Sequence, residues 1–549
     1  MPRKPKRIGT IDCETDPFKY KRPPVPFCWG FFDGDNYQEF WGDDCTQQLM
    51  EYLEDESKII LYAHNGGKFD FFYLLKWLDP DIFIINGRIA RATLFGGRIE
   101  LRDSWLILPL PLAAYQKTAI DYNKFERKHR EKHRREILNY LRDDCFFLYD
   151  WVTRFISEFG RGLTLAGAAF KQLKETGYQL ERTYDQYDER FRDFYFGGRV
   201  QCFSTGAHYG DFIYIDINSA YSFAMRHRHW QGGSYVERDK IPDGENGSFF
   251  VHCRAVSRGC FPYRGDDDRL YFPDDNIARD YFITGWEYFA AIETGTATIE
   301  KIHVVYTPVL LEDFTEYVNK FFKLKAEAKA NGDKTLYQFA KLMLNSCYGK
   351  FGQDGRKFEK FEICDFGDVP EGEGWTPYCN LDTGQRIYSK ADPQDLFYNV
   401  ATAASVTGFV RAYLWRAICA SEGVMYCDTD SIICRKTHVE IDANKLGAWD
   451  IEAEPVEVYI AQRKMYALKM KDGTTKKACK GVDLTYDEIR DGVLTGTNIT
   501  QYREAPAFSL KYGARFFSRE TDFENIAKNA LTIPPEKRDN KKRSNPQCS

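Results

Sequence analysis

The sequence lacks several features that define common protein classes. Its 15 cysteines include no C-x-x-C pair, which excludes the usual zinc modules and a disulfide framework and is typical of a reducing cytosol. It has no run of about 18 apolar residues, so we expect no membrane span. The basic start Arg3–Arg7 leads into a strand pattern, which does not match a signal peptide. The net charge of -5 gives no basic excess, so any contact with nucleic acid must use local basic surfaces.

The length and the apolar content indicate a multidomain globular protein. A chain of 549 residues exceeds what one hydrophobic core usually organises, and 43% hydrophobic residues are enough for several cores. Aromatic residues make up 16% of the chain, which leaves rings available for stacking on bases. Three basic runs, at residues 1–7, 124–135 and 537–543, are more typical of solvated faces or tails than of binding sites.

The segment Tyr426–Ile432 places two carboxylates one residue apart within an apolar run. Asp428 and Asp430 lie on the same face of an extended segment, or at the tip of a hairpin turn. Two like charges buried together are unfavourable unless a cation neutralises them, and Mg²⁺ prefers carboxylate and phosphate oxygens. The pattern therefore predicts a metal site, with a solvated Asp-Thr-Asp turn as the alternative.

Two further segments add a carboxylate and a cation to this pattern. An apolar strand pattern ends near Asp216, where a carboxylate would point into a cleft above a sheet. Residues 340–349 have helical periodicity, so that Lys341, Asn345 and Tyr348 share one face. An ordinary amphipathic helix with a solvated lysine is the alternative for this segment.

Together, the three segments resemble motifs A, B and C of family B DNA polymerases. The forms D-x-x-S-x-Y at Asp216, K-x-x-x-N-S-x-Y-G at Lys341 and Y-x-D-T-D-S at Tyr426 are those of the protein-primed branch. The resemblance covers residues 8–485 and is strongest to the tectivirus phage polymerases. It implies an α/β multidomain fold, in which an RNase H-like 3′–5′ exonuclease domain accompanies a right-hand polymerase (palm, fingers, thumb) with an antiparallel palm sheet.

The first 155 residues contain a second set of carboxylates. Asp12 and Glu14 alternate along a strand pattern and can share a face, and Tyr140 and Asp144 share a helix face. With Asp70, these residues resemble the three motifs of a DEDD-type 3′–5′ exonuclease in its tyrosine variant. The resemblance implies that the four carboxylates bind two metal ions that activate a water for phosphodiester hydrolysis, with Tyr140 in a catalytic role.

The resemblance also guides the assignment of two further residues of the first domain. Asp143 neighbours Asp144 and is an alternative ligand, but family spacing and the helix face shared with Tyr140 favour Asp144. Lys117 lies in a segment that resembles the source of a catalytic lysine in this family, and a solvated lysine is the alternative.

The resemblance also assigns roles in nucleotide addition. Asp216 and Asp428 are expected to be catalytic and to bind two Mg²⁺ or Mn²⁺ ions together with the backbone of Ile217, whereas Asp430 has a weaker, orienting role. The residues expected to bind the incoming dNTP are Tyr221, Lys329, Lys341, Asn345 and Tyr348. Those expected to contact DNA are Asn65, Phe69, Tyr195, Gly197, Gly198, Lys464 and Tyr466.

The resemblance divides the chain into domains. We expect an exonuclease domain at 1–155, a linker with a Y-x-G-G loop at 156–200 and a polymerase domain at 201–549. Within the latter we expect the palm at 201–230 and 396–480, a first insertion at 231–306, fingers at 307–350, a second insertion at 351–395, a thumb at 481–533 and a tail at 534–549. In protein-primed enzymes one insertion docks the terminal protein, and the other encircles the template and separates the downstream strands. Variable surface loops are the alternative.

The sequence therefore predicts a phage-type DNA-directed DNA polymerase that initiates on a terminal protein and proofreads with a 3′–5′ exonuclease. The expected partners are template-primer DNA, dNTPs and a terminal protein, and the expected setting is a monomer in the cytoplasm of a bacterial host. A primer-independent family B polymerase shares the same motifs and is one alternative. An exonuclease or DNA-binding replication protein with an inactive polymerase domain is the other, although Asp216, Lys341 and Asp428 are all present.

Overall fold

A computed structural model describes residues 7–523, apart from 21, 117, 180–184, 245, 395–398, 503–506, 511–512 and 516–517. The helices are α1 (Cys45–Asp55), α2 (Arg134–Phe159), α3 (Leu165–Glu175), α4 (Asp185–Arg192), α5 (Ala220–Met225), α6 (Gly285–Glu293), α7 (Thr315–Ala330), α8 (Lys334–Ser346), α9 (Val400–Cys419) and α10 (Tyr486–Thr495).

The strands follow in chain order. They are β1 (Arg7–Thr15), β2 (Pro26–Phe32), β3 (Tyr37–Trp41), β4 (Ile59–Ala63), β5 (Asp81–Ile85), β6 (Arg88–Leu94), β7 (Ile99–Asp103), β8 (Val200–Cys202), β9 (Gly206–Tyr209), β10 (Ile213–Ile217), β11 (His229–Arg238), β12 (Phe250–Ser257), β13 (Tyr263–Arg264), β14 (Leu270–Tyr271), β15 (Ala278–Thr284), β16 (Ala297–Glu312), β17 (Glu359–Asp365), β18 (Thr376–Asn380), β19 (Gln385–Ala391), β20 (Ser421–Glu422), β21 (Tyr426–Asp428), β22 (Ser431–Cys434), β23 (Lys436–Thr437), β24 (Trp449–Ala453), β25 (Pro455–Gln462), β26 (Met465–Met470), β27 (Thr475–Cys479), β28 (Ile499–Tyr502), β29 (Ala507–Ser509), β30 (Gly513–Arg515) and β31 (Ser518–Thr521).

The chain divides into two compact units. The first unit comprises Met1–Gln172, Asp354–Leu396 and Tyr502–Ser518. The second unit comprises Leu173–Gln353, Phe397–Gln501 and Arg519–Ser549. This division differs from the boundaries expected from the sequence, because the segment named the second insertion groups with the first unit rather than with the polymerase domain. The tail expected at 534–549 lies outside the described residues.

A ten-stranded sheet forms the centre of the first unit. Its order is β18-β19-β17-β5-β6-β7-β4-β1-β2-β3, in which β1, β4 and β7 run parallel and the other neighbours antiparallel. Every residue of β4 is buried, as expected for an apolar strand between two parallel neighbours. The second insertion joins this sheet because β17 pairs with β5, where Phe361 lies opposite Ile82. The phenylalanine and the isoleucine belong to one hydrophobic core.

The second unit contains a five-stranded antiparallel sheet, β24-β10-β22-β21-β8. The helix α9 is rich in small and apolar residues and is buried around almost its whole circumference, as is typical of a core helix. The unit also contains two four-stranded sheets, β11-β16-β12-β15 and β27-β26-β25-β9. Within the described ranges, no helix combines the length and the apolar content needed to cross a membrane.

The helices α7 and α8 form a pair within the segment 307–350 that the sequence assigns to the fingers. The connecting turn needs Gly332, whose φ of 70° lies in the left-handed region. Asp333 then caps α8, because its side chain accepts a hydrogen bond from the amide of Leu336 at 3.0 Å. The pair projects the periodic face of α8 into the cleft described below.

Candidate active sites

The candidate catalytic carboxylates of the second unit lie on neighbouring strands of its five-stranded sheet. Ser431 of β22 pairs with Asp216 of β10 on one side and with Asp428 of β21 on the other. Side chains at paired positions of antiparallel strands point to the same face. The register therefore brings Asp216 and Asp428 to one face, with backbones about 10 Å apart across two strand spacings.

The turn between β21 and β22 directs Asp430 towards Asp216. Thr429 adopts a left-handed conformation (φ 63°), and the carbonyl of Asp430 accepts a hydrogen bond from the amide of Ile217 at 2.8 Å. Burial, and then the charge of Asp430, raise the pKa of the Asp216 carboxyl to about 8. Burial, and then the charge of Asp428, raise the pKa of Asp430 to about 6. Repulsion between buried carboxylates of this kind is what a bound cation relieves.

Asp428 has a different partner. The ammonium of Lys464 donates to both carboxylate oxygens of Asp428, at 2.7 and 2.8 Å. The amide of Lys464 also donates to the Tyr426 hydroxyl at 2.9 Å, which fixes the turn that carries this lysine. Asp216 and Asp430 line a common cleft, whereas Asp428 faces Lys464. The geometry favours Asp430 as the partner of Asp216, in contrast to the sequence-based expectation that Asp428 takes this role and Asp430 only orients.

Lysines from α7 and α8 line the same cleft, which has a volume of about 810 Å³. They are Lys325, Lys329 and Lys341. Burial, and then the charges of Lys341 and Lys329, lower the pKa of Lys325, so both of the other ammonium groups lie close enough to act on Lys325. Carboxylates and ammonium groups in one cleft suit a triphosphate that is bridged to the carboxylates by divalent cations.

Two stacked tyrosines form another part of the lining. The rings of Tyr221 and Tyr348 are parallel within 9°, with centroids 4.2 Å apart. The sequence-predicted nucleotide-binding residues therefore all line one cleft: Tyr221, Lys329, Lys341, Asn345 and Tyr348.

The Y-x-G-G loop lies against the turn that carries Asp430. The amide of Thr429 donates to the carbonyl of Arg199 at 2.6 Å. A Cβ atom at Gly198 would lie 2.8 Å from the Thr429 methyl group and 3.1 Å from the Tyr221 hydroxyl, so the loop approaches this closely only with glycine. The space beside Gly197 is open in the described part of the chain, as a contact with a DNA phosphate requires.

A buried ion pair supports this loop. Arg411 Nε of α9 donates to Glu287 Oε1 of α6 at 2.7 Å, and the two side chains are only 2% and 1% exposed. Arg411 Nη1 donates to the carbonyls of Phe196 and Gly197, at 2.5 and 2.9 Å. The other oxygen of Glu287 accepts hydrogen bonds from the amide and the hydroxyl of Thr284, both at 2.9 Å, in a capping box at the start of α6. The pair thus ties the loop to two packed helices.

The other predicted DNA-binding residues of this unit differ in exposure. Tyr195 is half-buried, with its hydroxyl against Gly352. Tyr466 is only 5% exposed, and its hydroxyl donates to that of Tyr214 at 3.3 Å. The structure does not support the predicted DNA contact of Tyr466, because β26 buries this ring in the sheet core. Lys464, in the turn before β26, stays partly exposed.

The first unit brings Asp12, Glu14 and Asp144 together, with ligand oxygens within 4.8 Å of one another. Asp12 and Glu14 alternate along β1, and Asp144 comes from α2. The helix approaches closely because Gly30, which pairs with Asp12, has no side chain. A Cβ atom at Gly30 would lie 2.8 Å from the sulfur of Cys145. This close packing aligns the helix carboxylate with those of the strand.

Asp70 borders this cluster. Burial raises the pKa of Asp70 to about 7, and its Oδ1 accepts no hydrogen bond from the described residues. Burial, followed by the charges of four carboxylates, raises the pKa of the Cys145 thiol. In order of effect, the carboxylates are those of Asp12, Asp144, Glu14 and Asp70. All four therefore lie within electrostatic reach of the same thiol. An orphaned buried oxygen beside clustered carboxylates fits a divalent cation.

Tyr140 faces the same carboxylates. Burial, and then the charges of nearby carboxylates, Glu14 first, raise the pKa of Tyr140 and keep its hydroxyl protonated. The neighbouring Asp143 instead accepts a hydrogen bond from the Thr118 hydroxyl at 2.9 Å, away from the cluster. Lys117 lies outside the described residues.

Asn65 and Phe69 precede Asp70 in the chain and are partly exposed. The backbone of Asn65 adopts a left-handed conformation (φ 64°), and the Oδ1 atom of its side chain accepts a hydrogen bond from Arg88 at 2.9 Å. The ring of Phe69 packs edge-on against other aromatic rings, of which the nearest is Phe508 at 5.3 Å. Their remaining exposure is compatible with the predicted contact with DNA.

Comparison with known proteins identifies the family. Residues 110–371 match the family model described as DNA polymerase type B, organellar and viral. The DNA-directed DNA polymerase of Enterobacteria phage PRD1 is 39% identical to this chain over 502 residues, which cover 89% of each protein. The chain belongs to the protein-primed family B DNA polymerases. It is thus a DNA-directed DNA polymerase of phage type, and this family uses divalent metal ions.

Solved structures confirm the predicted fold class of the polymerase. Phi29 DNA polymerase complexed with primer-template DNA matches 94% of this chain and 100% of its own, with a TM-score of 0.72 at 17% identity. The complex of the same enzyme with primer-template DNA and incoming nucleotide substrates gives a TM-score of 0.71. The α/β multidomain architecture, with an exonuclease domain and a right-hand polymerase built on an antiparallel palm sheet, is therefore confirmed.

The sequence motifs of the polymerase did not reveal three of the residues described above. Lys325 lies four residues before Lys329 on α7, a helical spacing that could have indicated it. Arg411 and Glu287 lie 124 residues apart, and nothing local in the sequence connects them.

Proposed function

We propose that this polymerase adds dNTPs to a 3′ hydroxyl at Asp216 and Asp430, initiates on a hydroxyl of a terminal protein, and proofreads at a separate 3′–5′ exonuclease site. The observation that supports nucleotide addition most directly is the cleft in which these two carboxylates and three lysines meet. The oxygen donors and the raised pKa of both carboxyls fit a hard divalent cation such as Mg²⁺. Ile217 lines the same cleft.

The residues of the cleft have separate tasks in this proposal. Two bound Mg²⁺ ions would activate the primer hydroxyl and neutralise the triphosphate. Lysines of α7 and α8 hold the phosphates through charge-assisted contacts worth roughly 1.5–3 kcal/mol each. The Tyr221–Tyr348 stack supports the sugar and leaves no room for a 2′ hydroxyl. Lys464 neutralises Asp428 and so fixes the turn that presents Asp430.

We propose the carboxylate cluster of the first unit as the exonuclease site. Asp12, Glu14 and Asp144 would hold metal ions together with Asp70, whose unsatisfied buried oxygen supports this assignment. The metal would supply a hydroxide at neutral pH. Tyr140 keeps its proton and can donate a hydrogen bond to orient the attacking water or the scissile phosphate.

Substitutions in motifs A and C test the polymerase site. Asp216→Asn and Asp430→Asn should abolish primer extension with Mg²⁺, because each removes a charge from the cleft. Asp428→Asn should retain measurable extension, and the exposed Asp211→Asn should match the wild type. Loss of extension in Asp428→Asn together with normal extension in Asp430→Asn would return the metal role to Asp428. Full extension by the Asp216, Asp428 and Asp430 variants would place nucleotide addition at another site, and no extension by the wild type would support the inactive-domain alternative.

Substitutions in the first unit test the exonuclease site. The double variant Asp12→Ala/Glu14→Ala should no longer degrade single-stranded DNA, while primer extension continues with more misincorporation. Asp143→Asn is the matched control, because this carboxylate lies beside the cluster in sequence but bonds Thr118. Persistent degradation by the double variant would show that the hydrolytic site lies elsewhere.

The priming mechanism requires a separate experiment. The polymerase is incubated with single-stranded template, labelled dNTPs and Mg²⁺, with and without a candidate terminal protein. A labelled nucleotide covalently attached to that protein supports protein priming, with the first insertion as the proposed docking region. A product made without protein or primer would instead support the primer-independent alternative. Sedimentation of the active enzyme as a single chain tests the proposed monomer.

A further inference from the structure

The sheet β11-β16-β12-β15 carries two histidines and an aspartate on its exposed face. His252, Asp280 and His303 each offer one ligand atom, and these atoms lie within 4.8 Å of one another. The residues come from three adjacent strands, β12, β15 and β16. They are separate in sequence and in chemistry from both carboxylate sites, which contain no histidine among the residues described above.

A β-bulge brings His303 into this cluster. The register between β12 and β16 shifts directly after the His252–Val304 pair, so that His303 is the extra residue. Regular alternation places consecutive residues on opposite faces, and a bulge is the device that re-aims one of them. The His303 and His252 rings consequently lie 4.6 Å apart. Phe282, which pairs with His252, stacks on its ring at 4.3 Å and fixes its orientation.

The surrounding charges suit a metal-binding set. His303 Nε2 and Asp280 Oδ1 are 2.8 Å apart, which fixes the orientation of the carboxylate. Arg254 lies 3.7 Å from the other oxygen of Asp280 and 3.4 Å from Glu300, so its charge is shared between two carboxylates. The His303–Asp280 contact alone would be an ordinary surface pair, but the ring of His252 lies beside it and adds a third potential ligand.

We propose that His252, His303 and Asp280 bind a divalent transition-metal ion such as Zn²⁺, with water completing the coordination. Two imidazoles and a carboxylate are a ligand set that Zn²⁺ uses, at distances of about 2.0–2.2 Å. The partly exposed side chains reach such distances through rotamer changes. Imidazole nitrogen selects transition metals over Mg²⁺, so this site and the catalytic carboxylates bind different ions. The bound ion would join three strands and stabilise the first insertion.

Calorimetric titration of the untagged, full-length polymerase with Zn²⁺ in excess Mg²⁺ tests the site. Wild type should bind Zn²⁺ at this site, and His252→Ala and His303→Ala should each weaken that binding by about tenfold or more. His438→Ala is the matched control, since His438 is an exposed histidine that pairs with Glu422 at 3.0 Å. Absence of Zn²⁺ binding by the wild type, or unchanged affinity in His252→Ala, would refute the proposal.

Two further measurements separate loss of the site from misfolding and from binding by cysteines. The variants should unfold at the wild-type temperature in EDTA, and Zn²⁺ should raise that temperature only in the wild type and the His438→Ala control. Co²⁺ bound in place of Zn²⁺ should show no thiolate charge-transfer band, since the site has only nitrogen and oxygen ligands. An equal Zn²⁺-dependent rise in wild type and His252→Ala, or a thiolate band, would overturn the assignment.

Discussion

The buried pair of Arg411 and Glu287 allows a sharp test of how the fold positions the Y-x-G-G loop. Arg411→Met keeps an unbranched apolar stem but leaves the carboxylate of Glu287 buried without its cation and two loop carbonyls without their donor. Breaking a buried ion pair from one side costs about 3–5 kcal/mol. Glu287 retains its two hydrogen bonds from Thr284, so we expect the lower end, about 3 kcal/mol of unfolding free energy.

The assay combines urea denaturation with primer extension. Arg411→Met should lose stability and should also raise the KM for template-primer more than the KM for dNTP, because the loop loses its anchor. The matched control is Arg416→Met, since Arg416 joins the same two helices through an exposed pair with Glu293 and should cost less than about 1 kcal/mol.

A double variant, Arg411→Met/Glu287→Met, isolates the coupling between the two charges. It should be less destabilised than the sum of the two single variants, because no unpaired charge remains buried. If Arg411→Met stayed within about 1 kcal/mol of wild type and bound template-primer normally, the proposed support of the loop would be wrong.

Three other outcomes follow from the same structure. Lys325→Ala should raise the KM for dNTP by roughly tenfold or more with little change in kcat, because a charge-assisted phosphate contact is lost. Lys323→Ala is the control and should leave the KM unchanged, because Lys323 is exposed. Equal effects of the two substitutions would contradict the assignment of Lys325 to the cleft. Tyr221→Val should increase ribonucleotide incorporation in a single-nucleotide assay, and unchanged discrimination would place the sugar filter elsewhere. Burial lowers the pKa of His229 to about 4, so the folded state resists a proton that the unfolded chain accepts below about pH 6.5. The free energy of unfolding should therefore fall by about 3 kcal/mol from pH 7 to pH 4. The urea midpoint of His229→Gln should depend less on pH than that of the wild type or of His438→Gln.

The sequence by itself was enough to predict which residues share a face of a single helix or strand. Lys341 and Asn345 share a face because helical periodicity alone places them there, and the structure keeps that face in the cleft. Tyr348 lies just beyond the end of α8 and lines the same cleft. Asp12 and Glu14 share a face for the corresponding reason along a strand. The motif forms also determined the family, since three strings in a fixed order are far more specific than any one of them.

Contacts between distant segments required the tertiary structure. The sequence-based choice of Asp428 over Asp430 as the metal ligand did not include two tertiary features. These are the left-handed backbone of Thr429 and the contact with Lys464, which lies 36 residues beyond Asp428. The support of the loop by Arg411 joins residues more than two hundred positions apart.

The same limit applies to the domain boundaries and to the histidine cluster. The second insertion joins the sheet of the first unit only because Phe361 pairs with Ile82, which lies more than two hundred positions earlier in the chain. His303 meets His252 only because a bulge shifts the strand register. Sequence patterns report the direction of a side chain relative to its own helix or strand, whereas the pairing of distant strands and the shape of turns decide which of those faces meet.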